Sequence, residues 1–478
     1  MQKDIFTYEL KLLRRDGIAS LTLLLFLGAM MYAGWVGFSY TRALQEDQQT
    51  QLANYEALVA ESYGEAREQE RAMIRDSVSL DTYVWGPRNP YAIGSSLGKV
   101  IPLNMSPLTA FAIGQSDLHP AALKVSVAGV RSVGPTATLE NPFKLLVGHF
   151  DLSFVFLFIY PLLIIALTYG LTAAERESGL LRMLLAQPIQ LVSLVVGKIS
   201  VRAAILAGSI LLGTSVLWGF AGTEGLYDGW VSWLLVSFAY GVFWLGLCVF
   251  VDSRVNAAST SAIVLAGCWL LLAVVAPALI SFFASTLYPV PSRMEYITAM
   301  RTESSLAQQQ GAASLAQFFE DHPEIAPVND DEANFAMLRI AREEQIAEQL
   351  APLEGRYNEQ RSKQQALIAR MGYLSPTVLT HQAYMDIAGT GSAQFANFLE
   401  HAHAYQAVWK AHFVPKYFAD VAFRANDFDV LPPFLPNDIR NERLFGRLLP
   451  PILMCFFCGL ILLGLAFVRY RSQTIHMP

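Results

Sequence analysis

Six long apolar runs, at 18–40, 152–173, 199–220, 230–251, 257–286 and 448–468, divide this chain of 478 residues. A helix needs about 20 such residues to cross a hydrocarbon core roughly 30 Å thick. In lipid every backbone N–H and C=O must find a partner within the protein, so each run is expected to be a transmembrane helix. The composition agrees, because only 15% of residues are charged, against about a quarter in soluble domains. The expected fold class is therefore an all-α polytopic membrane protein with six transmembrane helices. Lys11, Arg14 and Arg15 precede the first run as they would in a signal peptide. That run is longer than an h-region and no A-x-A site follows, so it reads as a retained anchor.

Cations decide the orientation. Lys3, Lys11, Arg14 and Arg15 precede the first span; Arg176, Arg182, Lys198 and Arg202 lie between the second and third or at the edge of the third. Arg254 lies between the fourth and fifth spans, and Arg469 and Arg471 open the tail 469–478. The connection 221–229 has neither Lys nor Arg. Both termini and the segment 174–198 are thus expected in the cytoplasm, with 41–151 and 287–447 outside it. In the first segment, 1–17, Phe6, Leu10 and Leu13 share one helical face, the pattern of a helix lying along a membrane surface. Pro277 should kink the fifth span, because it removes a backbone donor.

The two inserts are too long to be plain loops. Leu44, Leu52, Tyr55, Leu58 and Val59 form a helical stripe in the first, and 123–130 alternates as a strand does. In the second, 332–371 reads as a charged helix interrupted near Pro352. Both inserts start and end at one membrane face, so they are expected to pack into a mixed, mainly helical extracytoplasmic domain.

The sequence carries no evident catalytic set. His401 and His403 stand two apart, which splays them on a helix, and no HExxH occurs. Cys455 and Cys458 match the letters of a redox CxxC, but in an apolar span that spacing stacks two small residues on one face. Gly94 to Val100 imitates a phosphate-binding loop with one residue too few and no Ser or Thr after Lys99. The chain is not expected to be an enzyme, to hold a metal or to bind a cofactor. A net charge of −6 offers no basic field for nucleic acid.

One charged block remains, ERESGLLRMLLAQPI at 175–189, set between two spans. Leu180, Leu181, Leu184 and Leu185 make it amphipathic, Gly179 permits a bend and Pro188 opens the next element. The simplest reading is an interfacial loop with its leucines toward the bundle. Its residue order, followed by Gly197 and Lys198, resembles the block E-R-E-x-G-T-L-x-x-L-L-A-x-P, then G-K, of ABC-2-type permeases, the membrane subunits of type V ABC transporters. Leu180 replaces the usual Thr. The two large inserts, together with Leu374, Ser375 and Pro376, are similar to the subgroup that contains gliding-motility and nitrous-oxide-reductase-maturation permeases.

The resemblance implies a permease, an exporter in the bacterial inner membrane, driven by a dimeric cytoplasmic ATPase that binds ATP and Mg. A second permease subunit, identical or related, would complete the assembly within the bilayer. An extracytoplasmic protein partner is a further expectation. Glu175, Arg176, Glu177, Gly179, Arg182 and Pro188 would form the ATPase-coupling helix, with Arg14 and Arg15 beside it. Spans two and five would line the path, at Phe154, Phe158, Tyr160 and Pro277. The alternative is a membrane-anchored scaffold or assembly factor whose outer domain holds a protein partner.

Overall fold

The computed structural model describes residues 2–15, 17–80, 87–114, 116–133, 149–185, 190–221, 227–321, 335–419, 421–435 and 440–475. It is mostly helical, with six helices among the described residues long and apolar enough to cross a membrane. Helix α1 (Gln2–Arg15) lies against the bundle. It turns Glu9 and Leu13 inward and leaves Phe6, Tyr8, Leu10 and Leu12 exposed. Helix α2 (Gly17–Arg75) is unbroken over 59 residues, on the order of 90 Å at 1.5 Å per residue. The first span and the polar stripe that follows are therefore one helix. No proline or turn sequence lies between them, so nothing stops the helix where the apolar run ends.

The second span, α4, runs through Leu152–Phe154, Val155–Ile159 and Tyr160–Thr168. Two short helices follow, α5 (Ala173–Glu177) and α6 (Leu180–Leu185). The remaining spans are α7 (Leu191–Ala221), α8 (Tyr227–Asp252), α9 (Ala258–Leu287) and α14 (Arg440–Ile475). Helix α8 is the bundle's axis, with Trp233, Tyr240 and Trp244 fully buried. It meets α14 at two glycines: a Cβ on Gly246 would lie 2.5 Å from the Gly459 carbonyl oxygen. Only hydrogen at both positions allows that approach, as at small-residue helix contacts generally.

Spans α4 and α9 share an irregularity. Each contains a π-helical turn, Val155–Ile159 and Leu270–Val275, and each has a proline just after it, Pro161 and Pro277. In α9 the Ala276 N–H bonds to Leu271 O. The next residue, Pro277, has no N–H to give to Leu272 O. The Ser375 hydroxyl donates to that carbonyl instead, at 2.9 Å. In α4 the Leu157 carbonyl, four residues before Pro161, accepts the Tyr240 hydroxyl at 3.1 Å. A carbonyl freed by proline in an apolar bundle must find another donor.

Ser375 belongs to the second polar segment. Helix α10 (Arg293–Asp321) pairs with α11 (Phe335–Gly372), which continues through Pro352 rather than breaking there. At its far end Gln364 donates to Tyr288 O, where α9 finishes. Ser375 then meets Leu272, roughly 24 Å back along α9. The chain turns at Leu374 and returns as α12 (Pro376–Ala388), with Ser375 as N-cap. Nine of the thirteen residues of α12 are buried, and Tyr384 stacks on Trp233 at 4.0 Å and shares a 2.8 Å hydrogen bond with Ser237. The insert 287–447, expected to lie outside the spans, thus sends one helix back among them.

Beyond this end of the bundle lies a second core. It contains α3 (Pro90–Ser96), a β1–β2–β3 antiparallel meander (Lys99–Pro102, Ala122–Ser126, Gly129–Val133) and α13 (Ser392–Phe418). The stretch 123–130, read as one strand, is split by the turn between Ser126 and Gly129, whose φ is +135°. Trp409, Phe413 and Phe423 pack here on Leu97, Ile101 and Val125, so both inserts contribute to one core. Trp409 donates to Gly94 O at 2.9 Å, and buried Arg88 donates to Phe423 O at 3.1 Å.

Candidate functional site

The charged block sits at the end of the bundle that carries both chain termini. It splits into an inward and an outward set. Helix α4 ends with carbonyls that receive cations: Arg202 donates to Leu167 O at 2.7 Å and Lys198 to Leu171 O at 3.0 Å. The N-terminus of α5 receives an anion. Asp252, fully buried at the end of α8, accepts the backbone N–H groups of Thr172 and Ala173 at 3.1 Å. It also accepts the Thr172 hydroxyl and, at 2.7 Å, the Tyr470 hydroxyl from α14. Positive groups at helix C-termini and negative groups at N-termini complement the helix dipoles.

Glu175 and Arg176 belong to the inward set. Glu175 pairs with Lys198 at 2.5 Å, and Glu9 of α1 lies 3.3 Å from Arg202 and 4.0 Å from Lys198. Two acids and two bases thus neutralise one another where unpaired charge would be costly. Arg176 reaches the α8–α9 turn, donating to Asp252 O at 3.1 Å and Val255 O at 2.8 Å. Glu177, though exposed, accepts the Ala258 N–H at the start of α9 at 3.1 Å. Through these bonds α5 is tied to α7, α8, α9 and α14, and through Lys198 of α7 to Glu9 of α1.

Gly179 forms the corner between α5 and α6, with φ +76°, a conformation costly for any residue with a Cβ. The outward face beyond it is apolar: Leu180 is 51% and Met183 70% exposed, while Leu181 is buried. The leucines do not all turn toward the bundle, because α5 and α6 are two helices with the corner between them. Arg15 is exposed at the end of α1. Arg14 lies on α1 and Arg182 on α6; Pro188 lies outside the described residues.

Three of the four residues expected along the path do share a cavity. Phe154, Phe158 and Pro277 line a space of about 350 Å³ between α4, α9 and α12. Tyr160 is instead 3% exposed in the bundle core, packed against Phe26 and Phe156 at ring distances of 5.8 and 5.7 Å. It points away because it stands two residues past Phe158, on another face of α4.

Asp252, Tyr470, Glu9 and His381 escaped the sequence reading. Asp252 carried a signal, being a lone acid at the edge of an apolar stretch, whereas Glu9 stands among other charges of the first segment. Tyr470 and His381 carried none, since their partners are distant in sequence. Against families of known proteins, residues 293–437 match the model described as "Domain of unknown function (DUF3526)". None of the curated proteins matches the chain.

Proposed function

We propose that this chain is the membrane-spanning permease subunit of an ABC exporter, powered by a separate ATPase. Both termini and α5–α6 then lie in the cytoplasm and the polar core lies outside it, in a bacterial inner membrane. A second permease subunit, identical or related, faces it across the transport path. The observation that supports this reading is the junction at α5. The face of α6 beside it is exposed and apolar, while α5 and its N-cap Thr172 bond to α7, α8, α9 and α14. A push delivered there reaches four spans at once, which an inert loop has no need to do.

Mechanically, closure of an ATPase dimer would displace α5 and α6 as one body. Arg176 and Asp252 would carry that displacement to α8, α9 and α14, and Glu175 through Lys198 to α7. The cavity between α4 and α9 would open or close in response, at the turns weakened by Pro161 and Pro277. No bond is made or broken in the cargo.

Leu180→Asp with Met183→Asp tests the assignment, because both side chains are more than half exposed. The double variant is expected to insert and fold normally but to lose co-purification with the ATPase encoded beside it. Undiminished co-purification would remove the assignment. The scaffold reading predicts that same undiminished capture, together with no ATP-dependent substrate movement in proteoliposomes.

A further inference from the structure

The cavity between α4, α9 and α12 has two chemically different ends, and their depths are fixed by hydrogen bonds. The Thr377 and Tyr240 hydroxyls lie 3.1 Å apart, and Tyr240 donates to Leu157 O, so Thr377 and Leu157 share one level. Helices α4 and α12 run in opposite directions. One turn beyond Thr377 on the same face of α12 stands His381, opposite Ser153 and Asp151 at the mouth of α4. The other walls, Phe154, Leu157, Phe158, Ala273, Pro277 and Val378, are all apolar, with Phe158 and Ala273 deepest toward mid-bundle. The polar end faces the distal body and the apolar end reaches toward mid-bundle, the same polarity that a lipid has in a leaflet.

The polar end is not neutral in its hydrogen-bonding offer. Asp151 is already satisfied, by the Ser153 hydroxyl and the Phe154 N–H on one oxygen and the Ile113 N–H on the other. It also caps the N-terminus of α4, which balances its charge. His149 is held by Asp117 at 3.1 Å. His381, by contrast, lines the cavity and is exposed to it. What remains for a ligand is the His381 imidazole, which faces Asp151 and can donate from a ring nitrogen. That calls for an acceptor-bearing head. A volume of about 350 Å³ falls at the small end of ligand pockets, roughly 300–1,000 Å³, which fits one chain rather than two.

We infer that this cavity binds a single-chain amphiphile with an acidic head, its head group on His381 and its acyl chain against Phe154, Phe158 and Pro277. The acid is a carboxylate or a phosphate, which share the acceptor chemistry. The inference rests on the permease reading only in making this amphiphile a cargo; occupancy itself needs no ATP.

The test uses the full-length protein in phosphatidylcholine nanodiscs without nucleotide. Four photoreactive probes with the same diazirine chain are compared: palmitic acid, lysophosphatidic acid, hexadecanol and lysophosphatidylcholine. A charge-assisted hydrogen bond corresponds to about tenfold in binding. One or both acids should therefore label peptides 152–168 and 270–277 about tenfold more than the alcohol and the choline lipid, and whichever acid leads identifies the head. Val378→Trp and Ala273→Phe, which fill the cavity from two different helices, should each remove that labelling. His381→Leu should lower the acids to the level of the alcohol. Equal labelling by acid and alcohol, or labelling unchanged by all three substitutions, overturns the inference. Co-purification of the ATPase is scored in the same preparations. Lost labelling with ATPase retained defeats this inference alone, and labelling with no ATPase defeats only the permease reading.

Discussion

Asp252 closes α8 with a fully buried carboxylate, and four donors from two elements, α5 with its N-cap and α14, converge on it. Replacing it by Asn leaves an amide that cannot accept at both positions, so at least one buried N–H loses its partner. That costs about 1–3 kcal/mol, whereas Tyr470→Phe deletes one hydrogen bond and costs about 1 kcal/mol. Thermal unfolding in detergent is expected to rank the two variants in that order. The same residues explain what could and could not be read from the chain alone. Glu175 and Arg176 were visible as charges in a cytoplasmic block. Their inward direction was not, because it depends on Lys198, Asp252 and Val255, brought close only by helix packing.

Helices α4, α9 and α12 form a unit whose logic is a carbonyl left over by proline. If Ser375 stands in for the missing N–H of Pro277, the two residues must be coupled. Ser375→Ala alone should cost about 1–3 kcal/mol, the penalty of a buried acceptor with no partner. In a Pro277→Ala background, where residue 277 regains its donor, the same change should cost under about half as much. Additive losses in unfolding midpoints would show that Leu272 O was not the shared partner. Pro277 itself was legible as a kink. Its partner was not, since periodicity places 373–388 in the polar insert and carries no hint that α12 turns back into the bundle.

The polar core has its own weak point where His119 stacks on Phe395 at 3.7 Å. Burial lowers the imidazole from its ordinary 6.5, nearby Arg361 lowers it further, and Asp117 opposes both. The unfolded chain therefore holds the proton to a higher pH than the folded one. Stability from this residue is complete above about pH 6.5 and declines as pH falls through that value. Hydrogen-exchange protection of α13 should drop between pH 8 and pH 5, and His119→Phe should flatten much of that drop. A residual slope is expected from His412, shifted down by burial and Lys416 against the pull of Asp427. An identical drop in the variant would place the pH sensitivity elsewhere.

Taken as one object, the molecule is a six-helix membrane bundle with a charged, hydrogen-bonded junction at one end and a polar core at the other. The number and approximate limits of the spans were readable because lipid imposes a strong rule on length and polarity. The continuity of α2 and the return of α12 were not, because both are decided by tertiary contacts. The bundle connects α5–α6, through Asp252 and Arg176, to the spans that border the cavity. If a separate ATPase docks on α6, a cysteine at its exposed face should reach that subunit. Met183→Cys, in membranes containing the neighbouring ATPase, is expected to yield a cross-linked product whose amount changes with ATP. Leu435→Cys, exposed in the polar core, should yield none. No product from Met183→Cys, or as much from Leu435→Cys, would contradict the account.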